Sequence, residues 1–358
     1  MLGALGALLA AWGGGAAAEN KETPRMEFPQ KVLTNGAMRM AVYLPDAQKG
    51  FYRGARFDWS GQVAWAEFDG RRVFGPFREK YDAFNHDNCS GPAEEFDLEG
   101  PPPGYAEAKP GETFVKIGVG AIEKVEEKKY GFWKRYKIVD GGKWTVTSGK
   151  DWVEFRHELA GPRGWGYAYT KRVGLAPGKA AFTIDHALRN TGTKAIETTH
   201  YCHNFITIDG DPVGPLYRIT FPFPLRATAF RGTAELKGGD LVVAEELRGD
   251  LRAMVLEGTA EWKGGNPLIA EALKGDSLWI AFDGGTGKVE DNRVTITDRR
   301  TGTGVRISGD RPPAAWRFYA ERTAACPEPF LRVRAAPGEE MTWRSTYEFF
   351  VEPAAPAP

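Results

Sequence analysis

Runs of strict apolar/polar alternation recur along this 358-residue chain and constrain its fold more than any other feature. In DWVEFRHEL, Val153, Phe155, His157 and Leu159 share one face, while Trp152, Glu154, Arg156 and Glu158 share the other. The same period groups Trp165, Tyr167 and Tyr169, then Phe182, Ile184, His186 and Leu188. Near the end it groups Met341, Trp343, Ser345, Tyr347, Phe349 and Val351. A period of two sends successive side chains to opposite faces of a pleated strand, so each run predicts a half-buried strand. Asp140-Gly141-Gly142, Pro177-Gly178, Asn190-Thr191-Gly192 and Pro337-Gly338 stand between runs and supply turn chemistry. Helical spacing is scarce, the best piece running over 266–273. The chain therefore reads as all-β, a large antiparallel β-sandwich forming one domain over 19–352.

Composition narrows the function classes. Lys plus Arg and Asp plus Glu are equal at 47 each, so no long-range field draws the chain to nucleic acid or to an anionic membrane. Gly118-Val119-Gly120 lacks the spacing and the following helix of a phosphate-cradling loop, which removes a nucleotide site. Three cysteines form no CxxC, and Cys and His show no zinc-type spacing, so neither a metal nor a cofactor is expected. The 11 tryptophans suit either a wide β core or a sugar-stacking platform.

Residues 1–18 read as a secretory signal peptide: an apolar run from Leu2 to Trp12, then Ala16-Ala17-Ala18 as a small-residue cleavage site. That run is too short to span a bilayer, so the expected location is periplasmic or secreted, with no membrane insertion after removal. The tail over 353–358 reads as a disordered end. Ser90 to Gly111, with Pro101-Pro102-Pro103, reads as a long irregular excursion over a sheet. Within it Glu94, Glu95 and Asp97 read as a solvated loop, or alternatively as hard oxygen ligands for Ca²⁺. The mixed charges of Lys124 to Lys129 read as an exposed strand edge.

Two side chains stand out as acid and base candidates. In ETTHYCHNFITI, alternation places Thr199, Tyr201, His203, Phe205 and Thr207 on one face and His200, Cys202, Asn204 and Ile206 on the other. An imidazole among rings and hydroxyls suits a carbohydrate cleft, and it titrates near working pH. His203 is thus either a proton donor to a sugar ring oxygen or a core histidine bonded to backbone. In AAWRFYAERT, Arg317, Tyr319 and Glu321 share a face. Glu321 is either a general base or half of an ion pair with Arg317 or Arg322.

Three segments in order, GFYRGARFDWSGQVAWAEFDGRRVFGP, FTIDHALRNTGTKAIETTHYCHNF and FYAERTAACPEPFLRVRAAPGEEMTWRSTYEF, resemble the aldose 1-epimerase (galactose mutarotase-like) superfamily. The resemblance implies a β-supersandwich and cofactor-independent sugar chemistry. It implies that Glu321 takes the anomeric proton while His203 protonates the ring oxygen. Arg56 would hold a sugar hydroxyl, with Arg53 as its substitute, and Tyr201, Phe205 and Tyr319 would line the sugar face. The family's early N-R-[IV] motif with a second histidine is absent; His86, in FNHDNCSGPAEEFD, stands in the corresponding region. The implied activity is interconversion of the anomers of a hexose or related sugar. A non-catalytic carbohydrate-binding protein and a polysaccharide-processing lyase or hydrolase are the alternatives, and all three take a hexose or oligosaccharide as partner.

Overall fold

A computed structural model describes residues 28–97, 100–213, 217–223, 227–231, 234–237, 240–243, 278–282, 285 and 287–353. The leader over 1–18, the helical piece over 266–273 and the tail from 354 onward lie outside the described residues. Two large antiparallel sheets dominate, as the alternation predicts. The eight-stranded sheet runs, in spatial order, Tyr217–Thr220, Arg293–Asp298, Thr303–Gly309, Glu340–Val351, Ala181–Asn190, Gly166–Leu175, Trp152–Ala160 and Lys143–Ser148. The six-stranded sheet runs Ala227–Arg231, Leu278–Phe282, Ala315–Glu321, Ala324–Ala335, Ile196–His203 and Ala93–Phe96. Helix among the described residues amounts to single 3-10 turns at Pro162–Gly164 and Val289–Asp291.

The alternating runs face the way their pattern requires. Val153, Phe155, His157 and Leu159 are buried, and their alternates are half-buried or exposed. Phe182, Ile184 and Tyr347 of the larger sheet share one apolar core with Trp316, Phe318 and Ala320 of the smaller. Gly178 and Gly338 take φ of 64° and 81° at the two tight connections, where a Cβ would be strained. Trp165 departs from the pattern: it precedes its strand, at the end of the short 3-10 turn.

The other face of the six-stranded sheet is not solvated. Residues 51–59, the three-stranded sheet of Thr113–Lys116, Gly120–Glu123 and Ile138–Asp140, and nearby loops cover it. Phe57, Tyr52, Phe114 and Tyr136 form a second core there with Ala93, Phe205, Ala324 and Cys326. Under that roof lie most of the candidate site residues.

The structure departs from two expectations. The excursion over 90–111 contains the edge strand Ala93–Phe96, which pairs with Ile196–His203, and Glu94, Glu95 and Asp97 are buried rather than solvated. Each of the two adjacent glutamates faces a buried cation on its own side of the strand, Lys171 for Glu94 and Arg56 for Glu95, so burial does not leave either charge alone. Lys124 to Lys129 follow the strand Gly120–Glu123 as a loop, and Lys124 Nζ donates to the carbonyls of Tyr105 and Ala108.

Candidate active site

The strand next to the edge of the roofed sheet, Ile196–His203, presents Tyr201 and His203 upward, and Phe205 follows on the same side. Its neighbour Ala324–Ala335 presents Cys326, Glu328 and Phe330. Tyr201 lies opposite Phe330, and the two rings stack at 4.6 Å. Two residues further along, His203 meets Glu328, with Nε2 3.1 Å from Oε1. Phe205 lies flat on the imidazole at 3.8 Å, and Tyr319 meets it edge-on at 5.5 Å. His203 is 5% exposed and Glu328 3%.

Burial sets the ionisation of this pair. Loss of solvent pushes the Glu328 carboxyl up to about 8, so it holds its proton at neutral pH. The same desolvation pushes His203 well below its ordinary value, helped by the positive Arg56, and the imidazole stays neutral. An undissociated acid and a neutral base therefore sit within hydrogen-bond distance on a sheet face.

Arg56 organises the surroundings. Its Nε donates to Glu95 at 2.8 Å, one terminal nitrogen to Asp87 at 2.5 Å and the other to the Tyr201 hydroxyl at 3.0 Å. Tyr201 in turn donates to Glu95 at 2.6 Å. The guanidinium is sandwiched between the rings of Phe57 and Phe132, 4.4 and 4.3 Å away. Burial opposes ionisation of Asp87, but hydrogen bonding from His86 and the charge of Arg56 hold its carboxyl below the usual range. A partly exposed rim surrounds this network: Arg78 bridges Asp87 at 3.1 Å and Glu321 at 2.8 Å, and His86 lies 3.3 Å from Asp87.

The structure thus brings together most of the side chains that the sequence singles out. His203, Tyr201, Phe205, Tyr319, Arg56 and His86 belong to one connected cluster. Glu321 is placed on its rim: Tyr319 donates to it, and Arg78 pairs with it rather than Arg317 or Arg322. In the ladder Glu321 is level with Ala324 and Arg317 with Glu328, so Glu321 lies about 13 Å along the strand from the His203 level. Arg53 turns elsewhere. It donates to the Gln48 carbonyl, stacks on Phe84, and lines a separate cleft of about 670 Å³ with Trp59, Arg135 and Trp144.

Glu328 is the residue that sequence reasoning passed over. It stands in Cys326-Pro327-Glu328-Pro329-Phe330, and proline in a run argues against a central strand. Yet both prolines sit inside the ladder, opposite Phe318 and Trp316. Extending the alternation through them would have put Ala324, Cys326, Glu328 and Phe330 on the face of His203.

Behind the pair, Asn204 pins the end of the His203 strand. Its amide donates to the Pro327 carbonyl at 2.6 Å, and its oxygen accepts from the Tyr347 hydroxyl at 2.7 Å. Residues on three strands of both sheets thereby converge on one side chain. On that same inner side Glu94, His186 and His200 form a group able to ligate a metal.

No known protein family and no curated protein matches the sequence. Among solved structures the chain is similar to the Slr1438 protein of Synechocystis sp. PCC 6803, at 11% identity, covering 91% of this chain and 97% of that one with a TM-score of 0.53. A galactose mutarotase-like protein from Lactobacillus casei gives 11% identity, 90% and 100% coverage and a TM-score of 0.52. Another, from Clostridium acetobutylicum, gives 11%, 90% and 95%, and 0.51. The fold is the galactose mutarotase-like β-sandwich, spanning nearly the whole chain. At these identities the likeness concerns the fold, and the activity is argued from the site.

Proposed function

We propose that the protein is a sugar isomerase of the aldose 1-epimerase type, and that His203 and Glu328 form its acid/base pair. The observation that carries this is the 3.1 Å contact between a neutral imidazole and a protonated carboxyl, both buried on a roofed sheet face. Opening a hemiacetal needs one group to take the anomeric proton and another to protonate the ring oxygen. Glu328 supplies its proton to the ring oxygen while His203 accepts the proton of the anomeric hydroxyl. The bond between the anomeric carbon and the ring oxygen breaks, leaving an open-chain aldehyde. After rotation about the adjacent carbon–carbon bond, the hydroxyl adds back to the other face of the carbonyl and both protons return. Neither an oxidant nor a cofactor enters the balance.

Arg56 keeps its three partners in register and offers a fixed positive edge to a sugar hydroxyl. Tyr201, Phe205 and Tyr319 give ring faces to the sugar's C–H surface. The sugar approaches across the rim of Arg78, His86, Asp87 and Glu321, the partly exposed groups around the pair.

Polarimetry tests the proposal. Purified protein added to fresh α-D-glucose or α-D-galactose is expected to accelerate the change in optical rotation. Glu328→Gln and His203→Asn are expected to abolish the acceleration, and Glu321→Gln to keep most of it. Abolition by Glu321→Gln but not by Glu328→Gln would move the role to the rim carboxylate. Inactivity of the wild-type protein on both sugars, with binding of either one in calorimetry, would leave a carbohydrate-binding protein.

A further inference from the structure

The sugar site uses none of the buried titratable groups on the opposite face of its own strand. Glu94, His186 and His200 come from the strands Ala93–Phe96, Ala181–Asn190 and Ile196–His203, one in the larger sheet and two in the smaller. They meet between the sheets at 0%, 3% and 3% exposure. His186 Nε2 and His200 Nε2 lie 3.1 and 3.7 Å from Glu94 Oε1, and the three ligand atoms fall within 4.8 Å of one another. None of those atoms has a hydrogen-bond partner of acceptable geometry. Three such atoms, Glu94 Oε1, His186 Nε2 and His200 Nε2, converge on one buried point and call for a ligand, since native interiors leave few polar atoms unpaired.

We propose that Glu94, His186 and His200 hold a divalent transition metal of the zinc class, which ties the two sheets together. Two imidazoles and one carboxylate are a donor set that such ions take, with a fourth position left for water. In a tetrahedral site with bonds of about 2.05 Å, donor atoms stand about 3.3 Å apart. The observed 3.1 and 3.7 Å bracket that spacing, so small side-chain adjustments seat the ion.

The outer groups have the form that supports a metal. The remaining nitrogen of His186, Nδ1, lies 2.9 Å from the Tyr169 hydroxyl, which fixes the ring and leaves Nε2 for the ion. Glu94 Oε2 is held by Lys171 Nζ at 2.5 Å, and that amine also reaches Asp58 at 3.0 Å and the Ser60 carbonyl at 2.7 Å. Phe96 and Trp343 wall the group with rings 4.7 to 4.9 Å from the imidazoles. Charge points the same way: Asp58 and Glu94 are two anions and Lys171 one cation, which leaves a buried negative charge that a cation would offset.

Metal content of the full chain decides the matter. The protein is produced without a histidine tag, in zinc-supplemented medium, and analysed by elemental mass spectrometry after gel filtration. About one zinc per chain is expected. Chelation should lower the melting temperature by several degrees, and added Zn²⁺ should restore it. Co²⁺ in place of zinc should give visible absorption bands of a low-symmetry site. His186→Gln and His200→Gln should each lose the metal, whereas His203→Gln keeps it. Should those variants fail to fold, the cobalt spectrum and the chelation shift of the wild-type chain still decide. A folded wild-type chain that lacks metal and ignores both Zn²⁺ and Co²⁺ overturns the proposal. Stoichiometric zinc that persists in both inner histidine variants overturns it equally.

Discussion

The two faces of the Ile196–His203 strand carry similar residues to different ends. On one face Tyr201 and His203 join Glu95 and Glu328; on the other His200 and Cys202 join Glu94. Burial does not separate them, because every one of these side chains lies at 5% exposure or less. What separates them is the cover. The inner group is enclosed by two sheets whose ladders cannot part without unfolding. The outer group is enclosed by loops and by the Arg56 and Arg78 ion pairs, whose outermost members are partly exposed. The comparison teaches that two equally buried polar clusters on one strand differ in whether their cover can open, and only a cluster whose cover opens is available to a ligand from solution.

The contrast is open to direct attack. The largest effect is expected at Glu328→Gln, which keeps the shape but removes the acid: mutarotation measured by polarimetry should fall about 10²–10⁴-fold with the fold intact. Next comes Lys171→Met on the inner side, which leaves Asp58 and Glu94 without their ammonium. A loss of about 3–5 kcal/mol in urea denaturation is expected, with unchanged activity per folded molecule. If Lys171→Met harms turnover as much as stability, the two faces are not separable.

A third effect follows from pH. The folded Glu328 carboxyl titrates at about 8 against an ordinary 4.5, so it takes up protons more readily when folded. Its contribution to stability is fully present below pH 4.5 and is lost as pH rises through about 8. Glu328→Gln should therefore be more stable than wild type at pH 9, on the order of 5 kcal/mol, in denaturation curves at that pH. The smallest effect belongs to the rim. Arg78→Ala should cost about 1 kcal/mol or less, since the Arg78 pairs with Asp87 and Glu321 are partly solvated, and should change kcat less than tenfold.

The sheets were legible because alternation is a local signal. Trp152 to Glu158 show their two faces in seven consecutive residues, and the structure keeps them. His203, Tyr201 and Phe205 were legible for the same reason. Glu94 and Glu95 were not, because two adjacent acids read as solvent-facing until Lys171 and Arg56, far away in sequence, are brought to them. Glu328 was hidden by its flanking prolines, and Glu321 drew attention because its neighbours alternate without interruption. The Glu94, His186 and His200 group was invisible for a further reason: its members come from three strands, and no spacing in one segment announces it.

Asn204, which binds Pro327 from one end and accepts from Tyr347 at the other, has a consequence for what can vary in this molecule. It makes the separation of His203 and Glu328 a property of the backbone, set before any ligand arrives, so little reorganisation would be left for the proposed reaction. The rim groups Arg78 and His86 are fixed instead by Asp87 and Glu321. If the pair acts on a sugar as proposed, choice of sugar and competence to open its ring are adjustable independently, the one by changing the rim and the other only by disturbing the clamp.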